Sequence, residues 1–405
     1  ALSGEYSNNI KNYKYTYDLI EKNPLKFNTA IRENIEKNNY GHNFFFDFDD
    51  DNEKTAIAFT LARENLNISK TKEGLYRAKI RSLGQIMIFN NKDQIIDAIY
   101  SFPITFTKIY SKEPTEFELL KLFDEFYFGR DNFKIKEVDE QGTTKCNEGV
   151  SFVNYFDYML MQIPCIDIKD SYAQRVKVKN INISNKVKTF LDTSGMTNKS
   201  FKQEVGLTIT SMLSTELKIP ILPFIDEGQD IYQIKTRFSD SREKILKIPD
   251  SDFDIDIDIK AFNKKKTATD NIEEQWIYAF QSHLKFFEPL SETIYFEDTL
   301  IGYKYKKFPL GYVSEKNDLQ IYLEVMNYFY RDLALSFDAI NNTEKVKNKV
   351  ISQRERGNNF NQTNSGFDWS KSSVLKDWYK TRSKLKYSEI KSMLSETKEK
   401  IDQCR

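Results

Sequence analysis

The chain has 405 residues, 40% hydrophobic and 14% aromatic, with 60 basic and 60 acidic side chains. That length and apolar content predict two or three folding units with sizeable cores and exclude a disordered chain. Gly (14) and Pro (9) are too scarce for a collagen-like or linker-dominated design, and the balanced charge supplies no global field to draw nucleic acid or an anionic membrane.

The chain opens on ALSGEYSNN, and a small first residue fits signal-peptide cleavage, so an exported, periplasmic or extracellular protein is expected. Residues 1–40 read as a polar, Tyr- and Asn-rich helical approach. HNFFFDF (42–48) and TAIAFTLAR (55–63) read as two strands of a hairpin about the polar turn DDDNEK. Within that turn Asp47, Asp49 and Asp51 have the D-x-D-x-D spacing of calcium loops, which folds carboxylates toward one ion. An EF-hand is excluded, because its bidentate Glu position is taken by Ala58. These three are the leading candidate metal ligands, with calcium as the candidate ion, and an acidic hairpin turn is the simpler reading.

LYRAKIRS (75–82) and QIMIFN (85–90) read as strands parted near Gly84. NKDQIIDAIYSF (91–102) reads as a helix stopped by Pro103, which has no N–H to donate, and PITFTKIY (103–110) as a strand. TEFELLKLFDEFYFG is a clear helix: Thr115 and Glu118 have capping-box spacing, Leu119, Leu122, Phe123 and Phe126 form one stripe, and Gly129 ends it. Residues 131–149 lose periodicity and read as a linker or surface loop.

SFVNYFDYMLMQ (151–162) reads as a buried helix, RVKVKNINI (175–183) as a strand, and residues 200–217 as an amphipathic helix entering the short strand IPILPF (219–224). IYSFPITF and ELKIPILPF then share a pattern of helix, proline and strand. Further strands are expected at 230–238, 253–262 and 275–287, with a hairpin or bent strand at 293–308. A strong helix follows at 318–340, then a polar stretch, then a weakly amphipathic helix over 373–402.

FDIDIDIK (253–260) raises the sharpest question. Alternate strand residues share a face at a spacing of roughly 6.6–7 Å, so Asp252, Asp254, Asp256 and Asp258 form a row of like charges opposite Ile255, Ile257 and Ile259. One strand cannot converge these acids on a single ion. Basic ladders with the same period (Arg77, Lys79 and Arg81; Arg175, Lys177 and Lys179; Lys304 and Lys306) are the simpler partners. The ladder therefore reads as the wet face of an antiparallel sheet whose Ile face meets the core. A charged docking edge and a metal site are the alternatives.

Catalytic sets are hard to assemble. The histidines are His42 and His283 alone, and no nucleophile elbow, zincin motif, P-loop or dinucleotide fingerprint is present. In an oxidising compartment Cys146 and Cys165 could close a short disulfide loop, two buried or unpaired thiols being the alternative, and Cys404 has no obvious partner. Trp276, Tyr278, Phe280, Leu284 and Phe286 share a strand face and read as core rather than as a stacking platform. Asn341–Arg405 carries 15 basic and 8 acidic residues, so the chain is an acidic body with a basic tail.

The expected fold is α+β: mainly antiparallel sheets with packed helices, a first domain over 1–130, a second over 150–340, and a C-terminal helical extension over 341–405. The expected function is non-enzymatic binding or assembly at the cell envelope. The acidic body and basic tail would make protein-protein contacts or join copies of the chain in peripheral association with the envelope. No cofactor, nucleic acid or transmembrane segment is expected. The rivals are a carboxylate-dependent hydrolase, with or without assistance by calcium, and a sugar- or peptide-binding module.

Overall fold

The computed structural model describes residues 13–44, 55–70, 74–129, 154–166, 168, 174–225, 233–237, 243–310, 318–340 and 372–404. The helices are α1 (Lys14–Lys22), α2 (Lys26–Lys37), α3 (Glu116–Phe128), α4 (Tyr155–Leu160), α5 (Asn185–Ser194), α6 (Asn198–Leu217), α7 (Asp318–Ala339), α8 (Ser372–Lys380) and α9 (Tyr387–Gln403). The strands are β1 (Thr55–Lys70), β2 (Tyr76–Asn90), β3 (Ile95–Tyr110), β4 (Val176–Ile183), β5 (Ile221–Leu222), β6 (Gln233–Arg237), β7 (Glu243–Lys247), β8 (Phe253–Thr269), β9 (Glu273–Glu288) and β10 (Thr293–Pro309). They form two mixed five-stranded sheets, ordered β1-β2-β3-β7-β6 and β10-β9-β8-β4-β5, so the fold is α+β. Most strand pairs are antiparallel; β3–β7, β4–β5 and β4–β8 are parallel.

The chain divides into two compact units. The first takes Ala1–Tyr172, Ile231–Pro249 and Arg356–Phe360; the second takes Ala173–Asp230, Asp250–Glu355 and Asn361–Arg405. The first sheet therefore borrows β6 and β7 from a later stretch of chain.

In the first unit one sheet face carries Ala78, Ile80, Ile86 and Ile88 of β2 against Leu122, Phe123 and Phe126 of α3 and Tyr155, Phe156 and Met159 of α4. The capping box of α3 is present: Glu118 N–H donates to Thr115 Oγ1 at 3.3 Å, and Thr115 N–H donates to Glu118 Oε2 at 2.8 Å. Gly84 lets α4 approach, since a Cβ there would sit 2.6 Å from Met159 Sδ and 2.8 Å from the Tyr155 hydroxyl.

Of the strand expected at 42–48, His42, Asn43 and Phe44 are not in a strand and 45–48 lie outside the described residues; β1 pairs with β2. The strands expected at 75–82 and 85–90 are one strand, β2, running through Gly84. Residues 95–110 are one continuous strand rather than a helix followed by a strand. Pro103 sits inside it, opposite Leu83. The parallel partner β7 pairs with β3 at Ile95, so among the described residues no strand flanks Pro103 on that side, the setting in which a strand tolerates a proline.

In the second unit Ile255, Ile257 and Ile259 of β8 are at most 5% exposed and pack with α6 and α7. The expected core row of β9 is also in place: Tyr278, Phe280, Leu284 and Phe286 are buried and Trp276 packs against them. The basic tail is not a free arm where it is described. Residues 381–386 break its expected helix into α8 and α9, and both pack on the sheet and α7 through Trp378, Tyr379, Ile390, Leu394 and Ile401. Two of its cations are buried as well. Lys398 pairs with Asp338 at 3.5 Å, and the Arg382 guanidinium lies 4.9 Å from the Trp378 ring and 4.8 Å from that of Tyr303.

Gly84→Ala is expected to destabilise the first unit by about 1–3 kcal/mol through overpacking. Trp378→Ala is expected to cost the second unit about 3–5 kcal/mol. Urea unfolding of each variant checks both; an unchanged midpoint for Trp378→Ala would mean the tail is peripheral.

Candidate binding surface

Each acid of the ladder on β8 has a named donor. Asp252 accepts from the Arg175 amide at 2.7 Å. Asp254, only 2% exposed at its side chain, pairs with Lys179 at 3.0 Å and accepts from the Ser251 hydroxyl. Asp256 accepts from Asn180 Nδ2 at 2.8 Å, and Asp258 from Asn182 Nδ2 at 3.0 Å and Lys260 Nζ at 2.7 Å. Burial raises the Asp256 carboxyl above its usual range, with Asn180 offsetting part of this. Burial also acts on Asp258, but the donors on Lys260 and Asn182 outweigh it and hold that carboxyl low.

A bulge in β4 makes this matching work. The register with β8 slips between Val178 and Asn180. Val176, Val178 and Ile181 stay buried, while Asn180 and Asn182 come to lie beside Asp256 and Asp258. The extra residue, Lys179, reaches Asp254. The ladder thus lies between parallel β4 and antiparallel β9, which sets Lys285 opposite Asp256 and His283 opposite Asp258, and Asp254 is buried rather than wet. Lys304 and Lys306 are engaged elsewhere, with Glu324 at 3.6 and 2.8 Å.

The remaining ladder, Arg77, Lys79 and Arg81, belongs to β2 in the first unit. Residues opposite one another on neighbouring strands share a face, so the register gives this surface row by row. Ser69, Arg77 and Ile109 form one row; Asn67, Lys79 and Thr107 the next; Asn65, Arg81 and Thr105 the third; Arg63, Leu83 and Pro103 the fourth. Four cations and no carboxylate stand in these four rows. Arg77, Asn65, Asn67, Thr107 and Ile109 are exposed, and Lys79, Arg81, Ser69 and Thr105 are half-buried. Neither Arg77 nor Arg81 has an ion-pair partner among the described residues. Further along, the same face becomes apolar and buried at Met87, Phe89, Ile96 and Ile99. The boundary is a hydrogen-bonded polar row in which Thr60 donates to Gln85 at 3.3 Å and Gln85 to Ser101 at 3.0 Å.

The concave features are occupied differently. The second unit holds an apolar void of about 20 Å³ between Ile209, Leu213, Phe286, Tyr330 and Phe337. In the first unit a groove of about 400 Å³ runs past Lys108, Tyr110, Glu118, Asp124 and Glu125. Its acids are committed: Glu118 caps α3, Asp124 pairs with Lys26, and Glu125 with Lys108. Among the described residues no group of three or more His, Cys, Asp or Glu side chains is placed to hold a metal. Asp47, Asp49 and Asp51 lie outside the described residues. His283 is partly buried and bonds Thr299 Oγ1 at 3.0 Å and approaches Glu297 at 3.3 Å. Cys165 is disulfide-bonded, so it offers no thiol to pair with that histidine. Cys146 lies outside the described residues, and Cys404 is free and buried.

Sequence reasoning missed Glu64. It sits on the packed face of β1 and caps α1 from a distance, accepting from the Tyr15 amide at 3.2 Å, the Thr16 amide at 3.0 Å and the Thr16 hydroxyl. Burial pushes its carboxyl up to about 7 despite these donors. Burial likewise raises Asp157 and Asp332 to about 6.

No family model matches the chain, and no curated protein does. Three solved structures show partial likeness. A Xanthomonas campestris protein of the DUF330 family aligns at 7% identity over 47% of this chain and 93% of its own, with a TM-score of 0.24. A putative neuraminyllactose-binding hemagglutinin homolog from Helicobacter pylori aligns at 18% over 45% and 89%, with a TM-score of 0.25. A minor lipoprotein from Acinetobacter baumannii aligns at 8% over 45% and 90%, with a TM-score of 0.20. Likeness at these scores carries no argument about fold or function. No helix among the described residues is long and apolar enough to cross a membrane.

The three raised carboxyls give a signed pH dependence. Glu64, with an ordinary value of 4.5 and a folded value of about 7, holds its proton longer folded than unfolded. Its contribution to stability is therefore full below pH 4.5 and lost as pH rises through 7. Asp157 and Asp332 act in the same sense, up to about pH 6. The melting temperature of Glu64→Gln is expected to change less between pH 5 and pH 8 than that of the wild type. An equal change in both would remove Glu64 from this account.

Proposed function

We propose that this protein is an exported cell-envelope protein of binding or assembly type, and that it holds an anionic partner on the cationic outer face of β1–β3. The composition of that face carries the reading. Like charges side by side repel, and here Arg63, Arg77, Lys79 and Arg81 share four rows without a carboxylate among them. An anionic partner would relieve that repulsion. The acid ladder in the second unit is the internal contrast: each of its acids has a donor within the protein, whereas Arg77 and Arg81 have no ion-pair partner among the described residues.

The disulfide at Cys165 supports export, because such bonds persist in oxidising compartments and are rare in the cytosol. Residues 372–404 take no part as a docking arm in this reading, since they are core.

Two measurements test it. Denatured protein without reductant is expected to titrate one thiol, and with reductant three; three thiols in both conditions would argue against export. Purified protein is expected to co-sediment with envelopes of its source cell at low salt and to be released at high salt. Arg77→Gln/Arg81→Gln is expected to abolish this, while the charge-matched control Lys265→Gln/Lys384→Gln keeps it. Co-sedimentation that is absent, or indifferent to the arginines, would overturn the binding surface.

A further inference from the structure

We infer that the occupant of the β1–β3 outer face is a linear, hydroxyl-rich anionic polymer, a polysaccharide or polyol chain bearing carboxylate or phosphate groups. The inference rests on the binding reading above and names its ligand class.

The cations are not spread over the face. Arg77, Lys79 and Arg81 stand in single file on the central strand, at alternate positions roughly 6.6–7 Å apart. The file is about 14 Å long. On one side it is bordered by Asn65, Asn67 and Ser69, and on the other by Thr105 and Thr107. All five are neutral side chains that both donate and accept hydrogen bonds. A track of this form suits a chain laid along the strand. Its anionic groups would meet the cations, with the two guanidiniums forming forked contacts to carboxylate or phosphate. Its hydroxyls would meet the amides and hydroxyls on either side.

The same geometry disfavours the other anionic partners. A bilayer presents charge over a plane, and a basic surface that reads it needs cations over an area and apolar side chains that dip below the headgroups. Here a single apolar residue, Ile109, is exposed in the four rows. An acidic protein surface carries carboxylates without a hydroxyl-rich backbone, so the flanking Asn and Thr side chains would go largely unused.

The test measures binding of the full chain to polygalacturonate, poly(glycerol phosphate), poly-L-glutamate, neutral dextran and phosphatidylglycerol vesicles, at low and high salt. Saturable binding to polygalacturonate or poly(glycerol phosphate) is expected. It should weaken at least tenfold in Arg77→Gln/Arg81→Gln and more modestly in Asn67→Ala/Thr107→Ala, with the melting temperature of each variant unchanged. The two polymers separate carboxylate from phosphate as the preferred charge. The inference is overturned if neither polymer binds, if poly-L-glutamate or the vesicles bind as tightly per charge, or if the arginine variant binds like wild type. Arginine-dependent co-sedimentation with envelopes alongside failure of both polymers would sink only the ligand class; loss of both would sink the binding surface itself.

Discussion

A strand covered on one side must commit alternate residues to oil and to water, and two interior strands of this protein, β8 and β2, live under that constraint. In β8 the core claims Ile255, Ile257 and Ile259, and Asp254, Asp256 and Asp258 are thereby forced together on the other side. In β2 the core claims Ala78 and Ile80, and Arg77, Lys79 and Arg81 are forced together likewise. Packing creates both charge rows; what lies on the neighbouring strands decides what each row becomes.

The acidic row is absorbed. Its neighbour β4 must keep Val176, Val178 and Ile181 inside, and a plain strand would then set the wrong side chains beside the acids. The slip after Val178 repairs the phase, bringing two asparagine amides and one ammonium onto three carboxylates. In the basic row Arg77 and Arg81 have no ion-pair partner among the described residues. Its neighbours offer Asn65, Asn67, Thr105 and Thr107, which can bond a charge but cannot neutralise it. The same sequence grammar thus yields a structural girder in one sheet and a reactive-looking surface in the other, without any catalytic group being involved.

Much of this architecture was legible in the residues. Thr115 and Glu118 announced a capping box because that motif is local, and the alternation of FDIDIDIK announced both faces of β8. Tertiary partners were not legible. The ladder of Arg77, Lys79 and Arg81 looked like a match for the aspartates, but pairing by charge ignores which strands are brought side by side, and the two rows belong to different sheets. Pro103 was misleading for a related reason: a proline ends a helix or a central strand, yet is harmless where a strand has one open side. The isoleucines and tyrosine before it repeat at intervals that suit a helix as well as a strand. Glu64 gave no local sign at all, since the helix it caps lies 48 residues away in sequence. Residues 373–402 looked weakly amphipathic as a single helix because the chain breaks at 381–386, where Arg382 is buried, and because buried Lys398 of α9 occupies a position that an apolar stripe would fill.

The detour of the chain through Ile231–Pro249 bears on biosynthesis. Strands β1 to β3 have left the ribosome once Tyr110 emerges, but β6 and β7 follow only after β4, β5 and two helices of the other unit, α5 and α6, have been made. Until then the nascent first sheet has a bare border at Ile95, where Lys247 will later pair and donate its amide to Gln94 at 2.7 Å. A newborn chain with that border uncovered is open to strand addition by another chain. Secretion of the unfolded polypeptide, with folding deferred until the whole chain has been delivered, would close this window.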